Sequence, residues 1–247
     1  MKSQDILLLL KLVSLEIRDR EGGRPRIDGW QDWELESAAP GGSALLAQEL
    51  GWEDRSDVHL KASPSAMVTL SRAESPRGEG ELEYSDAGER NKAEFSVRGL
   101  ADSTGISKSQ VSLSLQRCFE AGLAKLDRRD GVPRANAKAL GELLIHGIRY
   151  VFPAKPGEVT RGIATSLGAP VLEGKLMSAG EIVPVWPDPR GNTKGAAIIP
   201  FAPSVPNAVR KDSRLYALLA LTDAIRIGQP RERNLASEML ESMLKVT

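Results

Sequence analysis

Cysteine and histidine are almost absent from this 247-residue chain, which contains only Cys118, His59 and His146. A single thiol excludes a disulfide framework within one chain and points to a reducing compartment. No zinc-ligand spacing exists. Aromatic residues are 4% of the total, so a core must be built mainly from Leu, Ile, Val and Ala. Long apolar runs are missing too. Ile6–Leu10 is broken by Lys11, far short of the roughly 20 residues that span a bilayer. The start of the chain also lacks the basic residues, longer apolar stretch and small-residue cleavage site of a secretory signal. A cytoplasmic protein is therefore expected. No phosphate-binding glycine loop or nucleophile elbow occurs. Thr160-Arg161-Gly162 is too short a match to count as a phosphate site, and the Glu53–Asp54 pair has no acid–base partner. His146, beside Leu143 and Leu144, reads as a packing residue, and Cys118 as a small hydrophobe. A binding protein is expected rather than an enzyme, with no cofactor and no metal.

Net charge is also lacking: 33 basic side chains balance 33 acidic ones. This balance argues against a nonspecific nucleic-acid coat, but the charge is unevenly spread. Residues 18–95 hold 17 acidic and 10 basic side chains, whereas residues 96–140 hold 8 basic and 4 acidic. Residues 141–247 hold 13 basic and 10 acidic. The sign changes where a candidate DNA-reading motif begins.

Residues 4–17 are predicted to form a helix, with Leu8, Leu12 and Leu15 on one face and Ile6, Leu9 and Val13 beside it. Residues 18–95 read as an acidic, poorly ordered insertion, or else as a small irregular subdomain built on Trp30, Trp33 and Trp52. A further helix is expected over 137–148. Between 149 and 209 prolines recur, separated by β-prone runs at Ile148–Phe152, Ile182–Trp186 and Ala196–Phe201. The last two flank Pro187–Asn192 and predict a β-hairpin of edge strands. Residues 212–227 and 231–245 read as a helical hairpin, broken at Gly228 and Pro230.

Function is concentrated in Ser96–Arg117. Ala101 supplies the small side chain needed where two short helices cross. Gly105 supplies positive φ for a tight turn, Ile106 plugs the core beneath it, and Ser107 caps the second helix. Val111, Leu115, Cys118 and Phe119 face inward. The opposite face carries Lys108, Ser109, Ser112 and Gln116, flanked by Gln110, Leu113 and Arg117, with no acid before Glu120. Serine is a poor helix former, but small hydroxyls and an amide suit a major groove, where a carboxylate would repel phosphate. Gly122 can end the helix. Asp130-Gly131, set between Arg128-Arg129 and Arg134, then predicts a short hairpin with arginines at its tip.

The stretch SVRGLADSTGISKSQVSLSLQRCFEAGLA, followed by this basic hairpin, resembles the winged helix-turn-helix of bacterial transcriptional regulators, closest in style to MarR-like proteins. The resemblance implies an α+β chain: a winged helix-turn-helix domain followed by a C-terminal α+β domain with a β-hairpin and a helical hairpin. Residues 1–17 would be the first helix, 18–95 an insertion, 96–136 the helix-turn-helix and wing, and 137–247 a dimerisation, ligand or partner domain. The family's short link between first and second helices is replaced here by 78 residues, so either these loop out or the first helix comes from elsewhere. The implied partner is double-stranded DNA, bound by a homodimer. The recognition helix would fill the major groove and the wing would touch backbone or minor groove. The expected contacts are Ser107, Lys108, Ser109, Gln110, Ser112, Leu113, Gln116, Arg117, Arg128, Arg129 and Arg134. The competing function is an antitoxin-like module that binds a partner protein through its C-terminal half. A small-molecule effector there is a third. The 212–245 hairpin either contacts a second copy or packs on its own domain.

Overall fold

The computed structural model describes residues 1–21, 31–33, 92–175 and 182–245. Most of the expected 18–95 insertion, with Trp30 and Trp52, lies outside the described residues.

The leucine-rich start forms helix α1, Ser3–Arg20. Its first turn holds Asp5, whose carboxylate accepts the Lys2 backbone N–H at 2.7 Å. Arg18 and Arg20 lie in the last turn, so both ends complement the helix dipole. Every residue from Asp5 to Ile17 is buried, more than the single apolar face expected from the sequence. The helix contacts α2 (Val97–Thr104), α3 (Lys108–Glu120), strand β2 (Pro133–Ala135) and, near the other end of the chain, α7 (Ser213–Ile227). Its few polar side chains are matched one by one. Lys11 Nζ and Ser14 Oγ both donate to Asp212 Oδ2 at 2.7 Å, and the other Asp212 oxygen caps α7 by accepting the Leu215 N–H. Burial alone would raise the Asp212 carboxyl, but Lys11 and these bonds hold it below its ordinary value.

After the β1–β2 ribbon (Ala124–Leu126 with Pro133–Ala135) comes a continuous helical stretch. It comprises α4 (Ala137–Glu142), a π-helical turn (Leu143–Gly147) and α5 (Ile148–Val151). The β-prone run at Ile148–Phe152 is thus helical as far as Val151. Strand β3 (Val159–Ala164) was not foreseen. It pairs antiparallel with both β4 (Pro184–Pro187) and β5 (Thr193–Ala197), and β4 meets β5 in parallel, closing a three-stranded barrel. The expected hairpin between β4 and β5 is therefore corrected. Their turn carries the chain across β3, with the Asp188 N–H bonded to Arg161 O. Gly191 crosses at Gly162, so closely that any Cβ on it would collide with the Gly162 backbone.

Helix α6 (Val205–Lys211) leads into α7, and α8 (Pro230–Lys245) folds back on α7 as expected for a helical hairpin. Pro230 opens α8 instead of merely breaking the hairpin. Helix α7 is buried from Ser213 to Arg226 and so packs within its own core, whereas α8 keeps an exposed side. Inside, Asp223 accepts from Trp186 Nε1 at 2.7 Å and Thr165 Oγ at 3.0 Å, and pairs with Arg226 at 3.3 Å. This locks the barrel onto the helix. Trp33 is buried edge-on against Tyr216 and bridges Gly191, so it serves this core and not a subdomain of its own.

The class is mixed α and β. One hydrophobic cluster runs through α1, α2, α3, α4, α7 and α8. The expected boundary at 136/137 is thus not a boundary in the core, because the described residues belong to one compact unit.

Candidate nucleic-acid interface

Local signals set the two short helices. Ser96 Oγ accepts the Gly99 N–H at 3.1 Å and caps α2. The helix ends at Gly105, φ 70°, with its N–H returned to Ala101 O. A Cβ at Gly105 would also stand 2.9 Å from Ser204 Cβ on the neighbouring loop. Gly105→Ala is expected to cost about 1–2 kcal/mol from left-handed backbone strain, read as a lower urea midpoint; an unchanged midpoint would refute this role. Ile106 is buried, and Ser107 Oγ accepts the Gln110 N–H at 3.4 Å to start α3.

Helix α3 then divides by face. Val111, Ser114, Leu115 and Cys118 are buried. Ser107 at its cap and Lys108, Ser109, Ser112, Leu113 and Gln116 on its outer side are exposed. Burial pushes the Cys118 thiol up to about 12, so at neutral pH it is inert packing. Gly122, φ 69°, turns the chain directly into β1. In the ribbon, Lys125 stands opposite Arg134 and Leu126 opposite Pro133. Its tip is Asp127–Val132, with Gly131 at φ 67° and Asp127 Oδ1 accepting the Arg129 N–H. Arg128 and Arg129 are exposed there.

No family model, curated protein or solved structure matches this chain.

Three of the sequence-predicted contacts are placed differently. Arg117 turns away from the outer face: its Nε donates to Asp5 Oδ2 at 2.9 Å and its Nη2 to Asp5 Oδ1 at 2.5 Å. The buried Ser114 hydroxyl donates to the same carboxylate. Burial would raise the Asp5 carboxyl, but Arg117, the Lys2 N–H and Ser114 hold it below its ordinary value. Arg134 lies on β2, below the tip. It is within 3.3 Å of Asp19, 3.6 Å of Asp127 and 3.8 Å of Asp130, and stacks 4.6 Å from the Phe95 ring centroid. It braces the ribbon against α1. Gln110 is half-buried and accepts from Gln4 Nε2 at 3.1 Å.

Three residues missed in the sequence belong to elements that pack against α3. Gln4 reaches it because the start of α1 lies against α3, a pairing 106 positions apart that no local pattern announces. Arg98, on the first turn of α2, and Lys125, on β1, are exposed cations; the local excess of basic charge was the available signal.

Glu16 shows a different balance. It accepts the Ala135 N–H at 2.8 Å and so pins β2 to α1. Desolvation nevertheless outweighs this bond and the nearby Arg134 and Arg20, and its carboxyl is raised. A carboxyl raised on folding opposes stability at neutral pH, and that opposition fades as pH falls through its folded value. Glu16→Gln, which keeps the acceptor, is therefore expected to be modestly stabilising at pH 7, by up to about 1 kcal/mol. The gain should shrink toward pH 4; a variant less stable than wild type at pH 7 would contradict this.

Elsewhere, His146 is exposed rather than packed. It borders a cleft of about 410 Å³ between α4 and α8, lined also by Ala137, Gly141, Ile145, Glu241 and Leu244. Among the described residues, no group of His, Cys, Asp and Glu could hold a metal ion. No described helix is long and apolar enough to cross a membrane.

Proposed function

We propose that this protein is a double-stranded DNA-binding transcriptional regulator of the winged helix-turn-helix kind, with α3 as recognition helix and the β1–β2 ribbon as wing. The observation that carries the reading is the outer face of α3. Lys108, Ser109, Ser112, Leu113 and Gln116 are exposed side by side, without an acid until Glu120. Small hydroxyls and amides can approach base edges and phosphates at close range. The exposed Arg128 and Arg129 follow on the next element and suit the phosphate backbone or an adjacent minor groove. Arg98 and Lys125 are further exposed cations on the elements that flank α3. Two-fold symmetry of duplex sites favours a homodimer, and the lone buried thiol suits a reducing, cytoplasmic setting.

The deciding experiment is a fluorescence-anisotropy titration of the full chain with a random-sequence duplex across a salt series. Binding should appear at low salt and weaken linearly in log–log form as salt rises. Absence of binding at low salt would end this reading.

A second reading, a module that binds another protein through its C-terminal half, is favoured by one observation. Tyr150 (76% exposed), Ile182 (60%) and Ile199 (80%) present large apolar side chains to solvent there. Such groups suit a protein contact when they form a patch. This second reading gains if the chain ignores duplex DNA.

A further inference from the structure

We infer that α3 reads A·T base pairs in the major groove, with Gln110, held by Gln4, bonding adenine and Leu113 covering the thymine methyl. The inference rests on the duplex-binding proposal and adds its sequence preference.

The internal bonds of the helix leave Lys108, in its first turn, as the one side chain of α3 suited to guanine. In the major groove guanine offers two acceptors, N7 and O6, best met by an arginine or lysine fork. Arg117 would be the obvious reader, but its Nε and Nη2 are both given to Asp5. Gln116 donates its amide nitrogen to Glu120 Oε1 at 3.1 Å. On α3 this leaves Lys108, at the first turn, as the exposed cation.

Gln110 is differently placed. Its Oε1 accepts one bond from Gln4, which leaves a second lone pair on that oxygen and both amide hydrogens for a ligand. A side-by-side acceptor and donor is the complement of adenine N6–H and N7. The bond from Gln4 fixes the rotation of the amide before DNA arrives, so less side-chain freedom is lost on binding. Gln4 is thus a positioning residue. Three residues on, and therefore on the same side of the helix, Leu113 is 48% exposed. A leucine on this polar face contributes little to the core, but it matches the one apolar group of the major groove, the thymine methyl. Side chains three apart on a helix are separated by about 5–6 Å. Successive bases rise about 3.4 Å along a strand, so the two residues reach neighbouring base pairs.

The test starts with selection of binding sites from random duplexes by the full chain. The most constrained positions should be A·T pairs. In the selected duplex, 7-deazaadenine at the constrained adenine removes the N7 acceptor and leaves N6–H in place; it should weaken wild-type binding about tenfold, the size of one lost bond that leaves the Gln110 donor unpaired. Uracil for the neighbouring thymine should weaken it about fourfold, the size of one buried methyl group. Gln110→Ala should abolish the first penalty and Leu113→Ala the second. Gln4→Ala should cut the 7-deazaadenine penalty to roughly threefold, which a purely structural role would not do. Constrained positions occupied by G·C, or wild-type binding indifferent to both analogues, would overturn the inference while leaving the duplex-binding proposal standing. Binding to no duplex at all would overturn both.

Discussion

Asp5→Ala is expected to destabilise the protein by about 3 kcal/mol at neutral pH, among the larger effects available to a single substitution. The carboxylate serves three donors at once: the Arg117 guanidinium, the Ser114 hydroxyl and the Lys2 N–H. Its removal strands a buried hydroxyl and a half-buried cation. The cost falls at the low end for a broken ion pair because Arg117 can swing partly toward water. Urea denaturation should show a lower midpoint with unchanged slope. The double variant Asp5→Ala/Arg117→Met, which replaces the pair with apolar volume, should recover most of the loss. The sign with pH is also fixed. The Asp5 carboxyl is held below its ordinary value in the fold. Its contribution is therefore present above the ordinary carboxylate range and is lost as pH falls through the folded value. Wild type and Asp5→Ala should converge in acid. Equal midpoints at pH 7 would show that this network holds nothing.

The second large effect concerns binding. Arg128→Ala/Arg129→Ala should weaken association with every duplex by a similar factor, because phosphate contacts carry no sequence information. The slope of log affinity against log salt should become shallower by about 2, roughly one unit for each arginine. Both side chains are exposed, so thermal stability should move by less than about 0.5 kcal/mol. A loss confined to one selected site would mean that the tip reads bases. An unchanged slope would mean that the tip does not touch DNA.

The α2–α3 pair and its turn at Gly105 were legible because their signals are local. Gly105 and Ser107 each act within four residues of themselves and make the expected turn and cap, and Ser96 caps α2 by an equally local bond. The inward set Val111, Leu115 and Cys118 followed from helical period alone. The fates of Arg117 and Arg134 were not legible, since their partners Asp5 and Asp19 lie 112 and 115 positions away. A basic residue near a motif looks the same in sequence whether it faces solvent or a carboxylate. The barrel was misread for a related reason. Pro187–Asn192 is a turn, as expected, but where the strands go after it depends on Gly191 slipping across Gly162. Helices α1 and α7 were recognised as helices, yet their burial on every side exceeds what a one-face apolar pattern suggests. For that reason the sequence suggested two domains where the described residues share one core.

Helix α1 touches both α3 and α7, and this has a consequence for biogenesis. During synthesis the leucines of α1 leave the ribosome well before the segment that covers their far side, which emerges more than 190 residues later. Domains fold as units once their parts are available, and contacts this distant in sequence are slow to close. The emerging chain therefore carries an uncovered leucine helix while those residues are made, a surface open to chaperones until α3 and α7 pack on it.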